Sequence, residues 1–410
     1  MISEIGIQNF KSVRDLVLKL GRVTVLIGEN GSGKSNILEA IAFAAAAAAN
    51  KLDPEFLANR GIRVADETWM RSAFSGDDEI IRLSVKGTGL EPIFECEVGP
   101  KTRDQDGSFS GWVVSAPVLR QEVYEALQEE SFAREIAEAL KRMESQRPDR
   151  PSKKMEVRTA VKRQLRRVLA ASSLRIKKRA RLGDNAVVLG LADFMVYAPE
   201  NTTLRNPPPE SAIQPLGTKG EGLIKLLQSF ADPKFSDRLQ AMKDSLQLFS
   251  WFDDFRAPDE SAAAQARLQI CDRWLAPDRA FFDQRSANEG FLYLLFYFAL
   301  LMSWRTPPFF AIDNVDASLN PKLCSTLMTQ IAGLSKKYEK QVICTTHNPA
   351  ILDGLNLKDD EQRLYAVGRD SEGHTTVRRV RAPQPQPGEV PVRLSEAFMR
   401  GLIGGLPDNF

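Results

Sequence analysis

The sequence predicts an α/β protein in which a parallel sheet carries a phosphate-binding turn, and three stretches support this prediction. Residues 22–27 (RVTVLI) form an apolar run with the length of a buried strand. Residues 28–36 (GENGSGKSN) follow as a glycine-rich turn, and residues 36–43 have the apolar spacing of a helix. A second apolar run at residues 309–313 (FFAID) ends in a carboxylate. A strand, a glycine-rich turn and a helix in this order are typical of nucleotide-binding α/β folds.

The turn at residues 28–36 matches the pattern G-x-x-x-x-G-K-[ST], which binds a nucleoside triphosphate. In this pattern successive backbone N–H groups point at the phosphates, the lysine reaches the β- and γ-phosphates, and the hydroxyl ligates Mg²⁺. A chance glycine turn is the alternative, which the flanking strand and helix disfavour. We therefore expect ATP and Mg²⁺ as cofactors. The residues expected to bind the nucleotide are Asn30, Gly31, Ser32, Gly33, Lys34, Ser35 and Asn36.

Length, composition and cysteine content set wider limits on the protein. At 410 residues the chain has room for two or three domains, or for one large domain with an insertion. Its four cysteines form no C-x-x-C pair, which argues against a zinc site and against a disulfide framework. The longest apolar run, residues 291–304, is shorter than the roughly 20 residues that span a bilayer. With no recognisable signal peptide, we expect a cytoplasmic protein without a membrane partner.

The beginning of the chain resembles a known family. Residues 5–12 (IGIQNFKS) alternate like a strand and end in Asn-Phe-Lys-Ser, and the phosphate-binding turn follows at the distance usual in that family. The combination resembles the ABC-type ATPase heads of the RecF, SMC and OLD group. The resemblance implies a P-loop NTPase fold of the ABC-ATPase type, with a mixed sheet, an antiparallel subdomain and an inserted helical arm. Residues 80–85 and 94–98 alternate as a hairpin of that subdomain would.

The resemblance and the shifts in composition divide the chain into four parts. These are an N-terminal half of the ATPase head at 1–112, an inserted basic helical arm at 113–190, a C-terminal half of the head at 191–382, and a tail with a helix at 383–410.

The end of the C-terminal half and the tail carry short predicted elements. Residues 363–367 and 375–380 are predicted to be two edge strands. His374, in a loop before the second of them, is expected at the surface. Residues 392–402 are predicted to form a short terminal helix after a proline-rich link.

The predicted arm contains the strongest concentration of charge. Residues 141–181 hold 16 Lys or Arg against 3 Asp or Glu, although the net charge of the whole chain is +2. A helix face with Arg163, Arg166 and Arg167 could contact a nucleic-acid backbone without reading its sequence. The alternatives are a dock for an acidic protein and a solvated helix surface. The sequence leaves these three interpretations open.

Two later strands carry candidate catalytic residues. Residues 309–313 have the Walker B form, which places Asp313 where it would hold Mg²⁺ beside Ser35. Residues 341–346 predict a second strand, and His347 follows it. In the resembled family a histidine at this point contacts the γ-phosphate.

The chain departs from that family directly after Asp313. The family has a catalytic glutamate there, whereas this chain has Asn314, which can orient water but cannot accept its proton. Asp316, two residues further on, could take over that role if its loop turns it inward. We therefore expect slow hydrolysis, with Asp313, Asn314, Asp316 and His347 as the catalytic group.

Residues 285–295 (RSANEGFLYLL) resemble the signature loop of the same family, in which S-x-G precedes a helix. Gly290 matches the glycine, and Asn288 stands at the serine position. In that family this loop completes the ATP site of the opposite subunit. The resemblance therefore implies a homodimer with two composite ATP sites, in which Asn288 and Gly290 bind nucleotide.

Three functions fit this resemblance. In the first, ATP closes a dimer that senses DNA or a foreign protein and controls an effector protein from a neighbouring gene, as stand-alone ATPases of the group often do in bacterial antiviral defence. In the second, a RecF-like ATPase acts in DNA repair or chromosome maintenance and contacts DNA through residues 141–181. In the third, Asn314 marks an ATP-binding scaffold that does not hydrolyse. OLD-family nucleases carry a Toprim domain, for which the 63 residues after His347 leave no room.

Overall fold

The structure is a computed structural model, and it describes residues 1–72, 74, 80–88, 92–100, 111–115, 190–207, 215–258, 267–382 and 392–405. The basic stretch at 141–181 lies outside the described residues, as does nearly all of the predicted arm. The four-part division of the chain therefore stays a prediction.

The described strands and helices follow one another along the chain as follows. The strands are β1 (Ile2–Phe10), β2 (Val13–Lys19), β3 (Val23–Ile27), β4 (Ile81–Gly87), β5 (Pro92–Pro100), β6 (Trp112–Ser115), β7 (Val196–Tyr197), β8 (Phe252–Arg256), β9 (Gln269–Asp272), β10 (Phe281–Asp283), β11 (Phe309–Ile312), β12 (Gln341–Thr346), β13 (Gln362–Arg369) and β14 (Thr375–Val380). The α-helices are α1 (Lys34–Ala48), α2 (Pro54–Asn59), α3 (Glu67–Met70), α4 (Asn201–Arg205), α5 (Leu223–Gln228), α6 (Ser236–Leu246), α7 (Glu289–Met302), α8 (Pro321–Lys337) and α9 (Leu394–Met399).

A six-stranded sheet in the order β14-β13-β3-β12-β11-β7 forms the centre of the molecule. Every pairing in it is parallel except that of β13 with β14. All residues of β3, β11 and β12 are buried, as expected for parallel strands covered on both faces. Because β3, β11 and β12 run in the same direction, their carboxyl ends lie at one edge of the sheet. The phosphate-binding turn follows β3, Asp313 follows β11 and His347 follows β12, so all three lie at that edge.

The prediction of two edge strands near the end of the chain is half wrong. β13 pairs with β3 on one side and with β14 on the other, so only β14 lies at the edge. The burial patterns agree, since β13 has four consecutive buried residues whereas β14 is buried only at its ends. The predicted helix at 392–402 is also shorter than expected, because α9 covers only six residues and ends in a left-handed turn at Gly401.

A second, antiparallel sheet has the order β2-β1-β4-β5-β6. The predicted hairpin is confirmed as β4 and β5, with Ile81 opposite Val98 and Val85 opposite Phe94. The Asn-Phe-Lys-Ser segment ends β1 and forms the tight turn into β2, and Asn9 and Lys11 in it adopt positive φ angles of 60° and 48°. Strands β8, β9 and β10 form a third, smaller antiparallel sheet.

Helix α1 lies between the central sheet and the antiparallel sheet, and residues of both sheets pack on it. Its last third is an alanine run, residues 44–48, in which every residue is buried. The small side chains allow two sheets to approach one helix closely.

The opposite face of the central sheet is covered by a second hydrophobic cluster built around α7. Residues 290–302 of α7 are all buried, which confirms the prediction of a core helix. Within the described residues, no helix is long and apolar enough to cross a membrane.

Candidate functional site

The phosphate-binding turn has the backbone geometry that a triphosphate requires. Gly31 and Gly33 have φ angles of 81° and 103°, a region that side chains disfavour. Helix α1 then begins at Lys34 with no side-chain cap, so its first backbone N–H groups lack intrahelical acceptors. The Ser32 hydroxyl is buried, and it has no hydrogen-bond partner among the described residues. Unsatisfied donors around a turn at a helix N-terminus fit an anion such as phosphate.

Lys34 points back across the turn. Its ammonium donates to the carbonyl oxygens of Gly28 and Glu29, each at 2.9 Å. Burial lowers its pKa to about 8, even though the nearby carboxylates of Asp313, Asp316 and Glu29 act in the opposite direction. The lysine is therefore held by weak neutral acceptors, which the oxygens of a triphosphate would replace with charged ones.

Ser35 and Asp313 meet directly. The Ser35 hydroxyl donates to Asp313 Oδ2 at 2.9 Å, and the Thr345 hydroxyl donates to the other carboxylate oxygen. A hydroxyl and a carboxylate are oxygen ligands of the kind Mg²⁺ prefers, and this cation usually takes few protein ligands beside phosphates. The pair fits Mg²⁺. A cluster of three or more His, Cys, Asp or Glu, which a cation bound by protein alone would need, is not found in the described parts of the chain.

The two candidates for activating water are placed differently. Asn314 is exposed and has a positive φ of 53°, and its backbone N–H donates to Thr345 Oγ1 at 2.8 Å. This conformation turns the chain so that Asp316, which is half-buried, accepts a hydrogen bond from Thr346 Oγ1 at 2.6 Å. Asp316 also acts electrostatically on Lys34. The loop thus brings a carboxylate, rather than an amide, into the group around the phosphate-binding turn.

His347 lies against the start of the phosphate-binding turn. Its Nδ1 is 3.0 Å from the Gly28 carbonyl oxygen and 3.3 Å from Lys34 Nζ. The Gly28 carbonyl oxygen can only accept, which needs a proton on Nδ1, whereas the Lys34 ammonium can only donate, which needs a free Nδ1, so the two contacts belong to different tautomers. In the tautomer that accepts from Lys34, Nε2 carries the proton and can donate to a phosphate oxygen. The ring is exposed, so a phosphate bound in the turn has access to it.

Asn288 and Gly290 are not brought to this site within the chain. Asn288 caps α7 by accepting from the backbone N–H of Phe291 at 3.4 Å. The adjacent Glu289 carboxylate accepts a hydrogen bond from Ser318, and Gly290 packs so closely that a Cβ atom would lie 3.1 Å from Leu319. Their recorded contacts are with α7 and with the loop after Asp316, not with the phosphate-binding turn.

A pocket of about 450 Å³ that no sequence motif predicts opens beside the first turn of α1. Its lining includes four cationic side chains and two exposed aromatic rings. The lining residues are Lys11, Ser12, Asn36, Arg63, Val64, Ala65, Trp69, Arg71, Phe74 and Arg369. Asn36 joins it to the phosphate-binding turn, since Asn36 Nδ2 donates to Ser12 Oγ at 2.7 Å. The pocket therefore borders the N-terminus of α1, next to the phosphate-binding turn.

Two further contacts give this pocket its shape. Glu39 of α1 is buried and pairs with both Lys11 and Arg63, which fixes two of the cationic side chains. His374, which we expected at the surface, is buried and packs edge-on against Phe74 with ring centroids 5.0 Å apart. Among the sequence motifs, the Asn-Phe-Lys-Ser segment supplies Lys11 and Ser12 to the pocket, and the phosphate-binding turn supplies Asn36.

Comparisons with known proteins agree with this geometry. Residues 1–178 match the family model described as "AAA ATPase domain", and residues 252–353 match the model described as "AAA domain, putative AbiEii toxin, Type IV TA system". Among curated proteins, none matches the sequence.

Solved structures of SMC heads are similar to the chain. The SMC head bound to the C-winged helix domain of ScpA is 14% identical, with a TM-score of 0.51 over 93% of this chain and 97% of that one. An SMC head with an extended coiled coil, bound to the C-terminal domain of ScpA and derived from Pyrococcus furiosus, is 13% identical, with a TM-score of 0.49 over 93% and 96%. The SMC head domain from Thermotoga maritima is 14% identical, with a TM-score of 0.40 over 92% and 98%.

The first of these similarities establishes the fold, which is the mixed α/β ATPase fold of an SMC head. The two family matches and the phosphate-binding turn support the similarity to ABC-type ATPases of the RecF/SMC group. The resemblance inferred from the N-terminal segments is thereby confirmed.

Proposed function

We propose that this protein is an ATP-driven switch that binds ATP with Mg²⁺ and hydrolyses it slowly. The observation that carries the proposal is the arrangement at the carboxyl edge of the central sheet. There Ser35 and Asp313 meet at 2.9 Å, while an amide at position 314 replaces the expected carboxylate. The phosphate-binding turn, Ser35 and Asp313 would hold the nucleotide and its metal, whereas the carboxylate that would activate water, Asp316, lies on a loop.

The chain's own residues divide the work in this proposal. Lys34 and the backbone of the turn bind the β- and γ-phosphates, and Ser35 with Asp313 holds Mg²⁺, which neutralises charge on the phosphates when bound. His347 contacts the γ-phosphate through Nε2. Asp316 accepts the proton of the attacking water, and Asn314 helps to orient that water.

The pocket beside α1 is the proposed site for the ribose and base. Trp69 is 66% exposed and Phe74 is 42% exposed, so their faces are available to a planar base. Arg369, one of the cationic side chains of the lining, donates to the Gly31 carbonyl oxygen at 2.8 Å, so the pocket adjoins the turn that would hold the phosphates.

We also propose that the active form is a homodimer with composite sites. Asn288 and Gly290 lie at the N-terminus of a buried 14-residue helix, where backbone N–H groups favour an anion. Because these two residues do not contact the phosphate-binding turn of their own chain, they suit the γ-phosphate of a second subunit. Closure would depend on ATP and would be long-lived when hydrolysis is slow.

The dimer is proposed to control a separate effector protein in antiviral defence. Its support is the resemblance to stand-alone ATPases of this group and the match of residues 252–353 to a model described for Type IV TA systems. Direct binding of DNA is the second candidate, because 16 of the residues between 141 and 181 are Lys or Arg.

Steady-state phosphate release by the wild type and by Lys34→Ala tests the ATPase. We expect slow release by the wild type and none above background by the variant, and release that is independent of Lys34 would refute the proposal. Wild type that binds ATP and releases no phosphate would establish the non-hydrolysing scaffold instead. Sedimentation of Asp316→Asn with ATP and with ADP tests the dimer, which should form with ATP only.

Salt-dependent binding to duplex DNA separates the two candidate roles. Neutralising Arg163, Arg166 and Arg167 should reduce the affinity and the salt dependence if residues 141–181 contact DNA. An unchanged affinity favours control of an effector protein.

A further inference from the structure

Two consecutive threonines at the end of β12 hold the two carboxylates of the candidate site. Thr345 donates to Asp313, and Thr346 donates to Asp316 at 2.6 Å. Neither threonine was singled out by the sequence motifs. Both hydroxyl-bearing residues are fully buried, on a strand whose every residue is buried.

The hydroxyl of Thr346 is fixed in direction. The backbone N–H of Asn348 donates to Thr346 Oγ1 at 2.9 Å, so the oxygen already accepts one hydrogen bond. The single hydroxyl proton then goes to Asp316 at 2.6 Å, since its other acceptor, the Asn348 carbonyl oxygen, is 3.4 Å away. The result is a short relay from the Asn348 amide through the Thr346 hydroxyl to the Asp316 carboxylate.

Asp316 needs such a partner because its loop is built of tight turns. Asn314 and Ser318, on either side of it, have positive φ angles of 53° and 60°. The loop is closed by backbone hydrogen bonds from Ala317 to Asn314 and from Leu319 to Asp316. Within the described part of the chain, the recorded hydrogen bond to the Asp316 side chain comes from Thr346. Without it, the loop backbone alone would not fix the direction of the carboxylate.

His347 lies in the middle of this relay. It stands between Thr346 and Asn348, and its ring contacts the Gly28 carbonyl oxygen. Asn348 is anchored on its other side, because its side chain accepts from the Ala350 N–H at 3.0 Å and caps the 3₁₀ helix Pro349–Gly354. The position of His347 is therefore linked, through the residues on both sides of it, to the hydrogen bonds at Thr346 Oγ1.

We propose that Thr346 is a positioning residue that couples the γ-phosphate contact of His347 to the proton-accepting carboxylate of Asp316. This inference rests on the proposed ATPase function. In the reaction, the water oxygen forms a bond to the γ-phosphorus, and the bond from that phosphorus to the oxygen bridging to the β-phosphate breaks. One water proton passes to Asp316, and ADP leaves with the electron pair of the broken bond. Thr346 aims the accepting oxygen at the water.

The test compares Thr346→Val with Thr346→Ser. Valine keeps the shape and removes the hydroxyl, whereas serine restores a hydroxyl. We expect Thr346→Val to lower kcat about ten-fold or more, while ATP affinity changes less than about two-fold. Thr346→Ser should recover most of the lost kcat. Thr326→Val on α8, where the hydroxyl donates to the Lys322 carbonyl oxygen of the same helix at 3.0 Å, makes the same chemical change away from the site and serves as the control.

A double-mutant cycle with Asp316→Asn makes the test specific to the coupling. If Thr346 acts through Asp316, adding Thr346→Val to Asp316→Asn should not lower kcat further. An equal kcat in Thr346→Val and wild type, or full multiplication of the two effects, would overturn the inference. Failure of the ATPase proposal looks different, because wild type would then show no Lys34-dependent phosphate release at all.

Discussion

The Ser35 hydroxyl donates to Asp313 Oδ2 across 2.9 Å, although the two residues are 278 positions apart in the chain. The contact joins the first turn of α1 to the carboxyl end of β11. In an ATPase of this fold, a hydroxyl and a carboxylate at that distance mark the place of the metal that accompanies the triphosphate. It is therefore the most direct structural support for Mg²⁺ in this protein.

Removal of either partner should weaken the binding of Mg–ATP specifically. Ser35→Ala and Asp313→Asn are each expected to reduce ATP affinity in the presence of Mg²⁺ by about ten-fold or more. Affinity measured with excess chelator should change little, because the phosphate contacts of the turn remain. Titration calorimetry with and without Mg²⁺ measures both quantities, and an equal loss in both conditions would contradict a metal role for the pair.

Two glycines of the phosphate-binding turn should respond differently to alanine. Both have positive φ, which costs an alanine about 1–2 kcal/mol. A Cβ at Gly33 would also lie 1.9 Å from Thr375 Oγ1, whereas a Cβ at Gly31 would have no neighbour within 4 Å. We expect Gly33→Ala to lose ATP binding and Gly31→Ala to keep most of it, as measured by nucleotide titration. An equal loss of ATP affinity in the two variants would show that backbone strain alone, and not the clash with Thr375, determines the effect.

The sequence was sufficient for those parts of the site that local patterns determine. The turn at 28–36 is a continuous motif, and Asp313 and His347 each directly follow an apolar strand. Since parallel strands end at one edge, their convergence could be predicted without coordinates. The placement of Asp316 could not be predicted in this way, because it depends on the left-handed conformation of Asn314. Asparagine is one of the few residues other than glycine that adopts this conformation readily.

The pocket and the position of β13 were missed for a different reason. The pocket combines Lys11, Arg63, Trp69 and Arg369, which come from three separate regions of the chain, and no local pattern joins them. The parallel pairing of β13 with β3 is likewise a contact between distant segments. The continuous apolar run at residues 364–367 (LYAV) does favour an interior strand, since such a run is typical of a strand buried on both faces.

Trp69 should contribute to nucleotide affinity through the base. Stacking of a base on an aromatic ring is worth about 1–3 kcal/mol, so Trp69→Ala is expected to raise the Kd for ATP by about five-fold to a hundred-fold. The affinity for inorganic triphosphate, which has no base, should stay unchanged. Trp274→Ala is the matched control, because Trp274 is 76% exposed on the connection between β9 and β10. Parallel losses for ATP and for triphosphate would show that the pocket does not take the base.

The low pKa of Lys34 predicts how ATP binding depends on pH. Burial lowers this pKa to about 8, from an ordinary value of 10.5, so the ammonium is charged below pH 8 and loses its proton above it. Only the charged form can pair with the β- and γ-phosphates. ATP affinity should therefore be full below pH 8 and fall as the pH rises through and above 8.

The terminal phosphate of ATP loses its last proton at about pH 6 to 7, so measurements from pH 7.5 to 9.5 isolate the lysine. Lys34→Ala should bind more weakly, with an affinity that is flat over this range, and calorimetry in buffers of different ionisation enthalpy should detect proton uptake by the wild type alone. A wild-type affinity that stays constant up to pH 9.5 would mean that the lysine is charged throughout, or that it does not contact the phosphates.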